Sequence, residues 1–357
     1  MRRTAALIVG GGPAGAAAAI TLAEAGVRPL LIERGPERRG VCGGFLGWDA
    51  LPMLGRLGID TAALGARPIN RVRIVAGDRE VETRLPGPAA GLSRTTLDAA
   101  LLALAERKGA EVIRGLAVRS IDGRHARLAD GSQIEAETMV VATGKHALRG
   151  AARDGLGRTY VGLRSTLPFV PQRLDTTIEL HLFAGGYAGL LVQEDGSTNL
   201  CLSVEAERFR QAGGSAAGLI EALRHDAPAL AHLMRAAEPE WAAVAGIPYG
   251  WRAGSTDVGL FRVGDQSTVV ASLVGDGIAM ALASGLDAAR AMIAGGAQAA
   301  QTFQQRLSHD RSRPIRIAEI ARAIAERPRL ARLALPLLRK APGLIRLAAR
   351  LTRVSAA

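Results

Sequence analysis

Three glycines near the amino terminus have the spacing of a backbone turn that can hold a phosphate group. Gly10, Gly12 and Gly15 follow a short apolar run, and Pro13 and Ala14 complete the segment GGGPAG. In a G-x-G-x-x-G turn, the first glycine permits the tight bend and the second lets the backbone approach a pyrophosphate. The third lets the following helix pack close to the strand. The pattern therefore indicates dinucleotide binding by backbone N–H groups.

The residues around these glycines predict the elements that must position them. Ala5 to Val9 is apolar and of strand length, Ala16 to Ala25 consists of strong helix formers, and Val27 to Ile32 is a second apolar run. Glu33 ends that run 18 residues after Gly15, where a carboxylate can accept a hydrogen bond from a ribose hydroxyl. The complete unit is much stronger evidence than the glycines alone.

Composition and charge are those of a globular protein with a basic tail. The 357 residues are 48% hydrophobic and 22% charged, enough for two domains and a large core. Residues 311–357 hold 12 basic and 2 acidic side chains, a balance of +10. Since the net charge is +12, the first 310 residues carry only +2.

Several classes of protein are excluded by what the chain lacks. Its two cysteines, Cys42 and Cys201, cannot form a disulfide framework and lack metal-ligand spacing. We therefore expect no metal and a reducing, cytoplasmic location. A peripheral position at a membrane surface is compatible with this location. No stretch reaches the roughly 18 apolar residues of a spanning helix. The basic tail has no interleaved aromatic residues, which argues against nucleic acid as a partner.

A second glycine-containing segment lies about 250 residues further along the chain. An apolar run, Val258 to Val263, leads into Gly264 and Asp265, and a glycine turn with a helical pattern follows over residues 275–285. Together with GGGPAG and Glu33-Arg34, this segment resembles the two motifs of two-dinucleotide-binding flavoproteins. The resemblance implies that Asp265 binds the ribityl chain and that N–H groups after the turn lie near the flavin ring.

Three further segments make the resemblance more specific. Cys42 and Gly43 open a segment similar to one that borders the flavin, and Arg94 begins an R-x-x-L-D pattern. Residues 183–190 are similar to an aromatic motif of the reductases, with Gly189 in place of a tryptophan. Over roughly residues 4–300 the chain therefore resembles the geranylgeranyl-reductase-like branch of the aromatic-hydroxylase (p-hydroxybenzoate hydroxylase) flavoprotein group.

The resemblance implies FAD as the cofactor and a set of residues that bind it. These residues are Gly10, Gly12, Pro13, Ala14, Gly15, Glu33, Arg34, Cys42, Gly43, Arg94, Ala142, Gly144, Asp265, Gly275, Gly277 and Ile278. Because the flavin carries the redox step, Cys42 is the one catalytic candidate, with a small buried thiol as the alternative interpretation. Tyr187, Tyr249 and Trp251 are candidate walls of a substrate pocket, or else ordinary core aromatics.

Two departures from the family pattern concern the cofactor site. Thr143 stands where the group has an aspartate that serves flavin and pyridine-nucleotide binding, and Ser272 stands where relatives usually carry proline. NADPH or NADH is the expected electron donor, but the change at Thr143 weakens that expectation. We expect flavin binding to persist with a rearranged loop over the ring.

The order of elements predicts an α/β fold with interleaved domains. A Rossmann-type FAD-binding domain comprises residues 1–68, 93–155 and 255–300, and a substrate domain with a mostly antiparallel β-sheet comprises residues 69–92 and 156–254. Residues 301–357 form a basic helical segment, which prolines 328, 336 and 342 divide into short helices.

Three interpretations of the basic tail remain open from the sequence. Its helices pack on the body with a solvated arginine face, lie on a membrane surface, or dock an acidic carrier protein. In each case we expect that deletion of residues 311–357 leaves FAD bound.

The leading hypothesis is an FAD-dependent oxidoreductase acting on a hydrophobic small molecule, such as a lipid, polyketide or aromatic metabolite. It would act by double-bond reduction or, as a monooxygenase, by flavin-hydroperoxide hydroxylation. The alternative is a flavin-binding docking or carrier component without catalysis of its own.

Overall fold

A computed structural model describes residues 1–35, 40–237 and 240–353. Within these residues, the strands form one sheet of seven and one of eight. Each sheet belongs to a different layer of the molecule, and helices cover both.

The seven-stranded sheet carries the glycine turn at its centre. Its strands, in spatial order, are β6 (Glu111–Arg114), β2 (Leu30–Glu33), β1 (Arg2–Val9), β9 (Gln133–Val141), β8 (His125–Leu128) and β7 (Val118–Asp122), with β15 (Leu260–Arg262) also paired to β9. β1 is parallel to both β2 and β9, and its last four residues are fully buried. Such a run is typical of a parallel strand covered on both faces.

Small residues allow the helices to pack closely on this sheet. The helices are α1 (Pro13–Glu24), α2 (Ala50–Leu57), α3 (Arg94–Arg107), α7 (Gly277–Gly295) and α8 (Ala299–Asp310). A Cβ on Gly285 of α7 would lie 2.1 Å from the carbonyl oxygen of Ala14 in α1. The two helices that follow the two glycine motifs are therefore in direct backbone contact.

The second sheet has eight strands and is separate from the first. Its spatial order is β14 (Ala242–Ile247), β10 (Tyr160–Leu167), β13 (Thr198–Glu205), β12 (Gly186–Val192), β11 (Thr177–Phe183), β4 (Arg67–Ala76), β5 (Arg79–Gly91) and β3 (Phe45–Leu46). Its pairs are antiparallel except β4 with β11. Helices α4 (Ala206–Gln211), α5 (Ala216–Asp226) and α6 (Pro228–Arg235) follow β13, and Pro228 is the first residue of α6.

The predicted fold class is confirmed. The predicted domain boundaries remain predictions, and two strands cross them. β4 spans the boundary between residues 68 and 69, and β3, from the segment assigned to the FAD-binding domain, pairs with β5 in the other sheet.

The tail consists of α9 (Ser312–Ala325), α10 (Pro328–Lys340) and α11 (Gly343–Leu351), and residues 354–357 lie outside the described part. The predicted break at Pro336 is wrong, because α10 continues through this proline. Proline cannot donate to the carbonyl four residues earlier. Arg79 on β5 supplies the missing donor, since its Nη1 lies 2.7 Å from the carbonyl oxygen of Arg332.

One helical stretch, Gly277–Asp310, is long and apolar enough to cross a membrane by length and composition. Of its most apolar window, 61% is buried inside the protein. Core helices pass the same test, so the stretch is weak evidence for a membrane span.

Candidate functional site

The turn between β1 and α1 requires glycine at two positions. Gly10 has a φ of +105°, and a Cβ there would lie 2.5 Å from the carbonyl oxygen of Ala142 at the end of β9. A Cβ on Gly15 would lie 1.9 Å from the carbonyl oxygen of Gly10. α1 begins at Pro13, and no side-chain cap is found for it among the residues that the structure describes. Its first N–H groups are therefore available to a phosphate.

Glu33 lies at the end of β2 beside the same turn. One carboxylate oxygen accepts a hydrogen bond from the N–H of Gly11 at 2.6 Å, and the other accepts one from the N–H of Gly35 at 3.1 Å. Carboxylate oxygens have further lone pairs, so the position fits a ribose hydroxyl. Arg34, the next residue, is exposed.

Arg94 places a fixed positive charge over the glycine turn. Its Nη2 lies 3.1 Å from the position of a Cβ on Gly12. Asp98, one helical turn later, accepts hydrogen bonds from Nε at 2.8 Å and from Nη2 at 2.7 Å. Burial disfavours the charged form, but the ion pair with Asp98 holds the pKa of Arg94 above its ordinary value. The start of α3 is fixed by Glu194, which accepts from the N–H of Ser93 at 2.8 Å.

The second glycine motif brings another uncapped helix start to the same side of the sheet. Gly275 has a φ of +74°, and its Cβ would lie 2.8 Å from the Phe45 ring. α7 begins at Gly277, and within the described part of the chain no side-chain hydrogen bond caps it. Ile278 is buried in its first turn.

Asp265 forms a partly buried ion pair that the sequence did not predict. Its Oδ2 accepts a hydrogen bond from Nζ of Lys145 at 3.1 Å. Attraction to this carboxylate raises the pKa of Lys145 above its ordinary value, against the effect of burial. Because only three of the 45 basic residues are lysines, a lysine directly after the Thr143-Gly144 pair was a signal that could have been used.

Lys145 belongs to a group of side chains that we call the Lys145 cluster: Cys42, Lys145, Tyr187, Cys201 and Tyr249. The thiol of Cys42 and the hydroxyl of Tyr249 both interact electrostatically with the Lys145 ammonium. Burial, with the neighbouring Cys42, raises the pKa of Cys201 to about 12. The cluster joins three of the predicted site residues to two that were not predicted.

Ser272 connects the two tyrosines of this cluster. Its hydroxyl lies 2.8 Å from the hydroxyl of Tyr187 and 3.1 Å from that of Tyr249. Burial raises the pKa of Tyr187 well above its ordinary value. The residue that replaces the family's proline therefore has a defined place in the site.

Trp251 packs against the same group of buried residues as Tyr249 of the cluster. Its indole N–H donates to the carbonyl oxygen of Asp154 at 2.9 Å, and its ring centroid is 5.6 Å from the Arg153 guanidinium. Arg153 donates to the carbonyl oxygens of Gly144 at 2.6 Å and Asp265 at 3.1 Å.

Asn199 is a second residue that the sequence did not reveal. Its Nδ2 donates to the carbonyl oxygens of Cys42 at 3.1 Å and Gly43 at 2.7 Å. Arg164 fixes it, since its Nε donates to Oδ1 of Asn199 at 2.6 Å. The Cys-Gly segment is thus anchored on the eight-stranded sheet.

Arg353, at the end of the tail, reaches the flavin-motif loop. It donates to the carbonyl oxygens of Val274 and Gly275, both at 3.3 Å, and it pairs with Asp276. Its guanidinium lies 4.0 Å from the ring centroid of Trp48. Burial lowers the pKa of Arg353 to about 10, so the group is charged at neutral pH.

These features fit FAD. Two uncapped helix N-termini face one region, at α1 for a pyrophosphate and at α7 for a flavin ring, and their helices touch. Glu33 and Asp265 would each offer a carboxylate to sugar or ribityl hydroxyls, and Arg94 would add a positive charge. The individual roles of the predicted residues remain predictions.

Comparison with known proteins agrees with this geometry. The family model described as FAD binding domain matches residues 3–165. Menaquinone reductase of Mycolicibacterium smegmatis is 26% identical over 331 residues, which are 82% of this chain and 77% of that protein.

Two solved structures share the fold over most of the chain. A geranylgeranyl bacteriochlorophyll reductase-like protein from Thermoplasma acidophilum has a TM-score of 0.74 at 19% identity and covers 99% of this chain and 94% of its own. PqsL, a probable FAD-dependent monooxygenase from Pseudomonas aeruginosa, has a TM-score of 0.72 at 16% identity, with 92% and 98% covered.

Residues 3–165 match the FAD binding domain model, and the protein is an FAD-dependent oxidoreductase. The resemblance drawn from the motifs is confirmed. The comparisons give no support to the alternative of a flavin-binding docking component.

Proposed function

We propose that the protein reduces or hydroxylates a hydrophobic small molecule that carries one oxygen-bearing polar group. The observation that carries this proposal is the Lys145 cluster, where a single ammonium lies among thiols and tyrosines beside the second flavin motif. Bound FAD supplies the two-electron redox chemistry. The chain's own residues bind the substrate, orient it and exclude water.

Lys145 is the group that orients the polar end of the substrate. Because its raised pKa keeps it protonated, it donates hydrogen bonds and does not act as a base. A carbonyl, enolate or hydroxyl oxygen suits such a donor. The two tyrosine rings and the two cysteines offer apolar contact to the rest of the molecule.

We favour reduction over hydroxylation. The menaquinone reductase aligns with 82% of this chain, which supports a substrate with a quinone or isoprenoid character. For the electron donor we propose NADPH or NADH, since a pyridine nucleotide matches the two-electron chemistry of FAD. The hydroxyl of Thr143 donates to the carbonyl oxygen of His146 at 2.9 Å, so it can offer a bound nucleotide only its acceptor lone pairs.

One experiment tests both parts of this proposal. The purified protein is mixed anaerobically with NADPH or NADH, and the loss of oxidised-flavin absorbance is followed. A polyprenyl quinone is then added under argon. Return of the oxidised flavin with formation of reduced product supports a reductase, whereas product that forms only after oxygen is admitted assigns hydroxylation. Flavin that neither donor bleaches rules out both as electron donors.

A further inference from the structure

The three tail helices expose a row of large apolar side chains. Leu333 and Leu337 on α10 are 67% and 65% exposed, and Leu344 and Leu347 on α11 are 52% and 51% exposed. This set of exposed side chains, which we call the tail stripe, consists of Ile320, Leu330, Leu333, Leu337, Leu344 and Leu347.

The tail stripe is distinct from the face that holds the tail on the body. Ala331 and Leu335 of α10 are buried against Ala76 and Val81 of the eight-stranded sheet. On α10 the exposed leucines follow at i, i+3 and i+7, beginning at Leu330, so they form one face of the helix. α10 therefore has two apolar faces, and the protein body covers only one.

Positive charge surrounds the tail stripe. In the described part of the tail, residues 311–353, nine basic side chains are exposed, and they are Arg313, Arg316, Arg327, Arg329, Arg332, Arg339, Lys340, Arg346 and Arg350. The two acidic residues of this range, Glu319 and Glu326, are both paired with Arg322. A surface with exposed leucines and cations and without an exposed acid complements an apolar phase with an anionic boundary.

We propose that the tail stripe docks the protein on the surface of an anionic lipid bilayer. The leucines enter the boundary between headgroups and acyl chains, and the surrounding cations contact the headgroups. An acidic protein without an apolar groove would contact only the cations, whereas a bilayer boundary contacts the cations and the leucines together. α9 packs against the turn Ser272–Val274, so docking brings the Lys145 cluster near the lipid. That last point rests on the proposed function, but the docking itself does not.

Vesicle binding of the full-length, FAD-loaded protein tests the proposal. Vesicles of phosphatidylcholine alone are compared with vesicles that also contain phosphatidylglycerol. We expect co-sedimentation with the anionic vesicles only, and weaker binding as salt is raised. The double variant Leu333→Asp/Leu337→Asp is expected to bind roughly 100-fold more weakly. The triple variant Arg329→Gln/Arg339→Gln/Lys340→Gln should lose about the same factor.

Two matched controls separate the tail from general surface effects. Leu156→Asp/Val258→Asp changes two apolar residues that are 50% and 49% exposed elsewhere. Arg107→Gln/Arg119→Gln/Arg235→Gln removes the same charge from the body. Both should bind like the wild type, and flavin absorbance verifies that every variant is folded.

The outcomes that overturn the proposal are specific. Equal binding to neutral and anionic vesicles, or unchanged binding of the leucine variant, contradicts it. A wild type that self-associates, with a monomeric leucine variant and no vesicle binding, would assign the stripe to a contact between copies. Binding to an acidic protein without binding to vesicles would assign it to a carrier. None of these binding results depends on whether the flavin turns over a substrate.

Discussion

Nζ of Lys145 lies 3.1 Å from Oδ2 of Asp265, in a part of the site where the side chains of both residues are about one quarter exposed. Strand β9 leads to the lysine and strand β15 leads to the aspartate, and the two strands are parallel neighbours. The pair therefore couples the ends of two strands that are far apart in sequence.

Removal of the Lys145 ammonium tests its role in orienting the substrate. Lys145→Met leaves the Asp265 carboxylate without its partner, which we expect to lower the free energy of unfolding by about 2 kcal/mol. kcat/KM should fall at least about tenfold, because one charge-assisted hydrogen bond contributes roughly 1.5–3 kcal/mol. Lys145→Arg should recover part of both. Denaturant unfolding and steady-state kinetics measure the two effects.

Lys108→Met is the control for that experiment. Lys108 pairs with Glu24 at the surface at 2.6 Å, with both side chains over 40% exposed. Such a pair contributes about 1 kcal/mol or less. If the two methionine variants behave alike, Lys145 has no special role.

The Ser272 bridge should control how tightly the substrate is held. Ser272→Ala removes a hydroxyl that contacts both Tyr187 and Tyr249, and the hydroxyl of the buried Tyr187 loses this partner. We expect a loss of about 1–2 kcal/mol in stability and a higher KM with a smaller change in kcat. Ser255→Ala, at an exposed position, should change neither. A KM equal to that of the wild type would place the substrate elsewhere.

FAD affinity should depend on the end of the tail, which revises the expectation from the sequence. Arg353 donates to the carbonyl oxygens of Val274 and Gly275, next to the start of α7. Arg353→Ala frees this loop, so we expect FAD to bind roughly tenfold more weakly, as one or two lost charge-assisted hydrogen bonds imply. Flavin fluorescence on dilution measures the release. Arg350→Ala, one turn earlier and exposed, should retain FAD. Equal release from both variants would show that FAD binding does not need the Arg353 contacts with Val274 and Gly275.

The pH dependence of stability should reveal the buried Glu179. Burial alone would raise its pKa, but hydrogen bonds from His181 and Arg73 lower the pKa from 4.5 to about 2. Since the folded pKa is below the unfolded one, the charge of Glu179 stabilises the fold above about pH 4.5. This contribution is lost as the pH falls towards 2. Its size is at most about 3 kcal/mol.

Urea unfolding of the wild type and Glu179→Gln across this range measures the contribution. The two proteins should differ most near neutral pH and converge in acid. A difference that stays constant with pH would mean that Glu179 does not titrate in this window.

Local sequence patterns were sufficient to predict the elements that begin the cofactor domain. The glycine spacing, the alanine-rich helix and the terminal Glu33 all lie within 35 residues, so the sequence contained the whole unit. The strand predicted over Val258 to Val263 is shorter in the structure, at Leu260–Arg262, which is an ordinary boundary error.

Long-range contacts explain what the sequence did not reveal. Pro336 stays inside a helix because Arg79, more than 250 residues earlier, satisfies the carbonyl that the proline leaves free. Asn199 holds the Cys42 segment across 157 positions. No local periodicity encodes such pairs, because they exist only once the two sheets have been brought together.

The Arg353 contact has a consequence for how the protein matures. The first glycine turn leaves the ribosome early, but the contact with Gly275 needs the last residue that the structure describes. During synthesis the first glycine turn can form while the loop at Val274 and Gly275 still lacks its contact with Arg353. Given the tenfold effect predicted for Arg353→Ala, we expect full affinity for FAD only after residue 353 has been translated, and a chain stalled before that codon should exchange FAD more readily.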